Sequence, residues 1–361
     1  MSARTKNALK RNGAILFGVI ISLTIIGFLL FPRPELPEAV TEDDCARYDI
    51  RFDGTSIEAI YHSPESILAD PQAFLQNDPA TMLLAEHRAR VSDPFPFNAW
   101  LNDIQALAGR PVEEREQRAP YRLYQRLLAN QNSFCREVVT AVLPYLPDGV
   151  DANVTIYLTA LEGSAAAFAK NGEIVFSLPH PIFAGAQRIH EPTGVSAFYN
   201  LGLHELFHIY FASVYKWPTL AEHMANEVVM DMLMTLQNEG IATHISHQLN
   251  ARYPSPFEWF LYLVDQKPVV RLYINEMDKL FAFAQTQPTG EAYDAIYRDI
   301  ASLCYQKKGF YIVGAFMAMT IENELGREAL VQTISGGYEA FVRTYNAVVE
   351  ESMQIQWETT P

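Results

Sequence analysis

Two histidines and a glutamate stand together in His204-Glu205-Leu206-Phe207-His208, the pattern HExxH. On a helix, positions i and i+4 lie one turn apart on one face, so both imidazoles could reach a single tetrahedral Zn²⁺ at about 2.0–2.1 Å. Glu205 follows the first histidine and is rotated from it by about 100°, which sets its carboxylate beside a metal rather than on it. From there it could take a proton from a bound water, the work of a general base. The surrounding run AFYNLGLHELFHIYFASVY (197–215) is apolar on nearly every face apart from the motif. A helix buried all round does not carry two imidazoles and a carboxylate without partners for them. The competing reading is a pair of histidines hydrogen-bonded inside a structural core.

A catalytic zinc needs a third protein ligand and an open position. Downstream, Glu222, His223, Glu227, Asp231, Glu239, His244 and His247 are candidates. Glu222 is accounted for by the capping box Thr219-x-x-Glu222. Glu239 opens Glu239-Gly240-Ile241-Ala242 after Asn238, and the small residues would let this helix approach the HExxH helix closely enough for a carboxylate to reach the metal. HELFH followed by NEGIA resembles the gluzincin zinc peptidases. The resemblance implies that His204, His208 and Glu239 bind Zn²⁺ and that Glu205 is the general base. In the aminopeptidase N type, eighteen residues separate the second histidine from the glutamate; here thirty precede Glu239, whereas Glu227 follows after eighteen. The longer spacing resembles zinc-dependent peptidase families of unknown function, as does GFYIVGAFMAMTIENELGREAL (309–330). Glu227 therefore stays a rival ligand, and the motif around Glu239 is weighted above the spacing because connections vary in length more freely than the side chains beside a ligand.

The same resemblance assigns two further expectations, and the residues themselves add a third. Thr243, four positions after Glu239, takes the place of an acidic residue that orients a ligand histidine. Glu173 to Leu178 would line the cleft as an edge strand that aligns an extended peptide. Tyr311 could donate a hydrogen bond to the oxyanion of a tetrahedral intermediate, or could simply pack in a helix interface with its hydroxyl at the edge. The exopeptidase signature of the aminopeptidases is absent before residue 204. His244 and His247 read as exposed residues of a polar face, and the aromatic run from Phe257 to Tyr262 reads as core or as a groove lining.

Positioning these residues requires a large fold, and 361 residues at 49% hydrophobic and 12% aromatic supply one. The net charge is −15, and four cations (Arg4, Lys6, Lys10, Arg11) sit in the first eleven residues, so the remainder is more acidic still. Such a body repels phosphate backbones, and no nucleic-acid partner is expected. Residues 14–31 form an uncharged run long enough, at about 27 Å, to span a membrane once. Its basic flank at 1–13 and the acidic, proline-bearing stalk at 32–48 predict a cytoplasmic N-terminus and an extracytoplasmic body. Three cysteines are too few and too scattered for a metal or redox motif; an exported body would permit a Cys45–Cys135 disulfide.

Ser63-Pro64, Asp70-Pro71 and Asp78-Pro79 pair a capping residue with a helix-opening proline, so 49–148 reads as a helical N-terminal region. Alternation at Val154-Ile156-Leu158 and the Asn171-Gly172 hairpin signal predict a small sheet over about 153–178. After residue 195 the pattern is helical again, with a turn at Gly336-Gly337. The expected class is α+β, predominantly helical, with a zincin-like metallopeptidase region over 149–350, a tail at 351–361 and one preceding transmembrane helix. The expected function is a membrane-anchored, zinc-dependent hydrolysis of peptide or protein substrates. The alternative from another class is a non-catalytic exported binding or scaffold protein with a structural or vestigial metal site.

Overall fold

The computed structural model describes residues 50–90, 95–150, 153–163, 165–183, 193–215, 227–250 and 259–357. The predicted span at 14–31, the stalk, Cys45 of the expected disulfide and the Thr219 capping motif lie outside the described residues. Among the described residues, no helix is long and apolar enough to cross a membrane.

The chain opens with strand β1 (Ile50–Asp53), then runs through eight helices: α1 (Thr55–His62), α2 (Pro64–Ala69), α3 (Pro71–Asn77), α4 (Pro79–Arg90), α5 (Phe97–Ala108), α6 (Val112–Glu116), α7 (Ala119–Ala129) and α8 (Gln131–Val142). The three predicted prolines each begin a helix. Asp70 Oδ1 accepts from the Ala73 N–H at 3.0 Å and Asp78 Oδ2 from the Thr81 N–H at 2.8 Å, whereas Ser63 makes no side-chain cap. Strands β2 (Val154–Thr159), β3 (Ala167–Lys170) and β4 (Glu173–Ser177) follow, and the sheet order is β1-β2-β4-β3. β1 and β4 pair parallel with β2, and β3 pairs antiparallel with β4. Asn171 and Gly172 take φ of 51° and 83°, the left-handed pair that a two-residue type I′ hairpin turn requires.

The result is a predominantly helical α+β protein with one four-stranded sheet. β1 falls in the stretch read as wholly helical. Four residues paired parallel to a strand about a hundred positions away carry no local signal of that pairing.

Six further helices complete the described fold: α9 (Thr193–Val214), α10 (Glu227–Asn250), α11 (Lys267–Ala284), α12 (Glu291–Ala301), α13 (Gly309–Leu325) and α14 (Arg327–Val348). α9 is the apolar HExxH helix. It packs on α8 and on β3 and β4 on one side and on α10 on the other. Phe198 of α9 meets Phe176 of β4 and Phe134 of α8 with ring centroids 4.4 and 4.8 Å apart, all three rings buried. This aromatic cluster anchors the first part of α9 to the sheet, and His204 and His208 follow one and two turns or more beyond it. At Gly337 the backbone of α14 takes φ 81°, so the predicted turn is a kink within one helical stretch.

α10 and α13 cross at a point where neither has a side chain. A Cβ on Gly240 would lie 2.5 Å from the Gly314 backbone, and one on Gly314 would lie 2.3 Å from the Leu236 carbonyl oxygen. The small residue after Glu239 therefore serves close approach to α13, not to the HExxH helix as the motif suggested. The reason is geometric: a residue adjacent to Glu239 points about 100° away from it and cannot share its contact face.

Candidate metal centre

α9 carries His204 and His208 on the face turned toward α10, and Glu239 of α10 is the residue opposite them. Glu239 Oε2 lies 3.0 Å from His204 Nε2 and 3.4 Å from His208 Nε2. Ligand atoms of the three residues all fall within 4.8 Å of one another. Bonds of about 2.0–2.2 Å to one tetrahedral ion place neighbouring ligand atoms a little over 3 Å apart, so two imidazole nitrogens and one carboxylate oxygen so disposed suit Zn²⁺ with its fourth position open. His204 is 8% exposed, while Glu205, His208 and Glu239 retain partial exposure, so the group is reachable from solvent.

Glu227, the rival by spacing, is elsewhere. It stands at the first position of α10, and its Oε2 accepts from the Tyr293 hydroxyl at 3.0 Å. Twelve residues of helix place it about 18 Å along the axis from Glu239. Asp231 likewise holds a tyrosine, accepting from the Tyr297 hydroxyl at 3.2 Å. Glu222 and His223 lie outside the described residues.

The second helical face of the motif points at the sheet. Glu205 accepts a hydrogen bond from the backbone N–H of Ala169 in β3. Burial lifts its carboxyl above the usual range, and the neighbouring His208 and His204 partly offset the rise. β3, not β4, is the edge strand. The expectation that Glu173 to Leu178 line the cleft is corrected accordingly: β4 is hydrogen-bonded on both sides, and its run Ile174-Val175-Phe176 is fully buried. A continuous apolar run is the mark of a central strand, and that signal was present in the sequence. Ser177 N–H donates to the Ala166 carbonyl, so by the alternation of antiparallel pairs Ala167 and Ala169 turn their backbone groups to the open edge.

Asn238 completes the histidine arrangement. The Nδ1–H of His208 donates to Asn238 Oδ1 at 2.9 Å, which leaves Nε2, directed toward Glu239, as the nitrogen that would bind a metal. The resemblance had put an orienting residue at Thr243. That side chain is fully buried with no partner for its hydroxyl among the described residues. Position 238 adjoins the ligand and faces the motif helix with it, while 243 lies a full turn farther along. In the absence of metal, burial opposes charge on His208, but the negative charge and hydrogen bond of Glu239 outweigh it and raise its pKa to about 9; the same pairing holds Glu239 well below the usual carboxylate range.

Tyr311 is brought to the site by α13. Its ring lies parallel to that of His204, 10° apart with centroids at 5.9 Å, and the edge of Phe260 meets it at 5.7 Å. Lys308 lies over the Tyr311 ring with Nζ 4.2 Å from the centroid. Sequence reasoning found Tyr311 but missed Lys308, which belongs to no recognised pattern, and it gave no role to Asn238 although that residue opens the NEGIA motif.

His244 and His247 do not form an exposed polar face. His247 is half-buried with Nε2 3.3 Å from Asp265 Oδ2. His244 is 2% exposed and donates through Nε2 to Glu322 Oε2 at 2.5 Å. Glu322 also accepts from Tyr145 at 3.0 Å, Gln248 at 3.1 Å and Arg327 Nε at 2.7 Å, so four elements are tied by one carboxylate. This cluster is structural, and its members face away from the HExxH helix along α10.

A family model described as "Putative zinc dependent peptidase (DUF5700)" matches residues 100–354. No curated protein and no solved structure matches the chain significantly. The matched span takes in α9 with HExxH, α10 with Glu239 and α13 with Tyr311, together with the later half of the helical region that precedes the sheet. With a two-histidine, one-carboxylate group built by those helices and more than half of its length covered, the chain belongs to this zinc-dependent peptidase family.

Proposed function

We propose that the protein hydrolyses peptide bonds with a zinc ion held by His204, His208 and Glu239, in the manner of the gluzincins. The observation that carries the reading is Glu239 Oε2 standing 3.0 and 3.4 Å from the two histidine Nε2 atoms. When bound, the zinc polarises the scissile carbonyl and lowers the pKa of a water at its open position. Glu205 accepts that water's proton and returns it to the leaving amine, and the Ala169 N–H fixes its carboxylate for both transfers. An extended substrate lies along β3, paired with the outward N–H and carbonyl of Ala167 and the outward carbonyl of Ala169, whose N–H is held by Glu205. Tyr311, parallel to His204, donates its hydroxyl to the oxyanion as the carbonyl becomes tetrahedral. Asn238 holds His208 in the tautomer that offers Nε2.

The apolar run at 14–31, basic before and acidic after, supports an anchor that places this site outside the cytoplasm. Protease added to intact spheroplasts should then digest the body.

The catalytic reading is tested with Glu205→Gln. An amide fills the same space but accepts no proton, so zinc content and melting temperature should hold while cleavage of a peptide library falls by several orders of magnitude. Retention of more than about a tenth of the rate moves the base elsewhere. A wild-type chain that binds zinc yet cleaves nothing in a chelator-sensitive way is the scaffold.

A further inference from the structure

We propose that Lys308 selects substrates bearing a carboxylate near the scissile bond; this rests on the peptidase reading and names its substrate class. Lys308 is the N-cap of α13 and takes φ 57°, ψ 24°, the left-handed conformation. For a residue with a Cβ that conformation is unfavourable, and it persists only where the surroundings enforce it. Here a π-helical turn, Ser302–Gln306, delivers the chain to α13, and Gly309 packs so closely on Leu303 that a Cβ would lie 2.6 Å from its Cδ1. The bend turns the Lys308 side chain back over the first turn of α13. Its ammonium settles over the rings of Tyr311 and Phe260, 4.2 and 5.7 Å from their centroids.

Among the described residues, Lys308 makes no ion pair, in a protein whose acidic residues outnumber its basic ones 42 to 27. The neighbouring Lys307 shows the contrast, with Nζ 2.9 Å from Glu276 Oε2. Two aromatic faces hold a half-buried cation in place without neutralising it. Because the Tyr311 ring is parallel to His204 at 5.9 Å, the ammonium stands one ring away from the metal ligands. That separation, within about 10 Å, is two or three residues of an extended chain at about 3.3 Å each. A substrate carboxylate at that remove would meet a preorganised, unpaired ammonium seated against the Tyr311 and Phe260 rings. Such a contact is of the stronger, charge-assisted kind. The carboxylate could be the substrate's C-terminus or an acidic side chain.

The test uses the zinc-loaded full chain and three acetylated peptides that share one cleavable sequence. One ends in a free carboxylate, one in an amide, and one in an amide with glutamate placed three residues beyond the cleaved bond. Wild-type protein should favour one or both carboxylate peptides over the neutral amide by roughly tenfold to a hundredfold in KM. The two carboxylate arms identify the source. Lys308→Met keeps the apolar stem and should bring that preference close to one, and Lys308→Arg should restore it. Loss of turnover on all three peptides alike in Lys308→Met, with the preference intact, would make Lys308 a packing residue and overturn the proposal. The same peptides, fluorescently labelled, are also titrated against both proteins by anisotropy. This separates failure of the selectivity from failure of the peptidase reading: an uncleaved peptide bound with a Lys308-dependent carboxylate preference supports the proposal, and equal binding of all three overturns it.

Discussion

Gly314→Ala probes how the fold sets the metal site. The new Cβ would lie 2.3 Å from the Leu236 carbonyl oxygen and 2.6 Å from Gly240 Cα. Both are backbone atoms of α10, which cannot rotate aside, and ordinary carbon contacts begin near 3.5 Å. The two helices must therefore part locally by about 1 Å. Overpacking of this size costs about 1–3 kcal/mol, and alanine's better helix propensity returns about 1 kcal/mol. The net loss is about 0–2 kcal/mol, at most a drop of a few degrees in the melting temperature of the zinc-free protein. The effect on the metal should be larger. Glu239 adjoins Gly240, and a zinc–ligand bond tolerates about 0.2 Å, so a displacement of about 1 Å pulls the carboxylate out of register with His204 and His208. Zinc affinity, measured by competition with a chromophoric chelator, should fall at least tenfold while far-UV circular dichroism stays that of the folded protein. A folded Gly314→Ala protein that binds zinc within twofold of wild type would refute the idea that this crossing positions Glu239.

Other expectations follow from the same geometry. Glu239→Ala should lose zinc on dialysis while Glu227→Ala, which removes the partner of the Tyr293 hydroxyl, keeps it; metal analysis of both decides, and the reverse result moves the ligand to Glu227. Asn238→Ala should weaken zinc binding by about 10–100-fold, with Asn238→Asp, which still accepts from His208 Nδ1, restoring much of it. His208 is raised to about 9 in the metal-free protein, so zinc must displace a proton below that pH. Calorimetry in buffers of different ionisation enthalpy should find about one proton released per zinc at pH 7.5 and fewer above pH 9, and no release at pH 7.5 would contradict the paired state. The same pairing stabilises the metal-free fold at pH below 6.5, a contribution lost as pH rises through about 9. At the other network, burial acts to raise Glu322, but the hydrogen bonds and charges of His244 and Arg327 prevail and bring it to about 2. Its stabilisation is full above about pH 4.5 and is lost as pH falls toward 2, so Glu322→Gln should cost about 3 kcal/mol in urea unfolding at pH 7 and much less at pH 3; an equal cost at both would exclude the ionic contribution.

The parts of the site legible in the sequence are those set by spacing along one helix. His204, Glu205 and His208 need only the 3.6-residue repeat to take their relative places, and the structure keeps that arrangement. The hairpin at Asn171-Gly172 and the prolines that open α2, α3 and α4 were likewise readable, because each acts through its own backbone torsions. Between Glu239 and Glu227, motif and spacing disagreed, and only the packing of α10 against α9 shows which carboxylate faces the histidines.

What the tertiary structure alone decides are the relations between elements. β1 has no local sign of its partner, β3 rather than β4 takes the edge, and Gly240 serves the crossing with Gly314 instead of the approach to α9. His244, polar by composition and one turn from His247, is buried where it shares the Glu322 carboxylate with Tyr145 and Arg327 from distant segments. Asn238 and Lys308 gain their places the same way, one by adjoining a ligand on the inner face of α10, the other by a left-handed bend that no residue type requires. Periodicity is a property of one segment and can be read from it. Which faces meet is settled by burial of apolar surface summed over the whole chain, and no single segment encodes that sum.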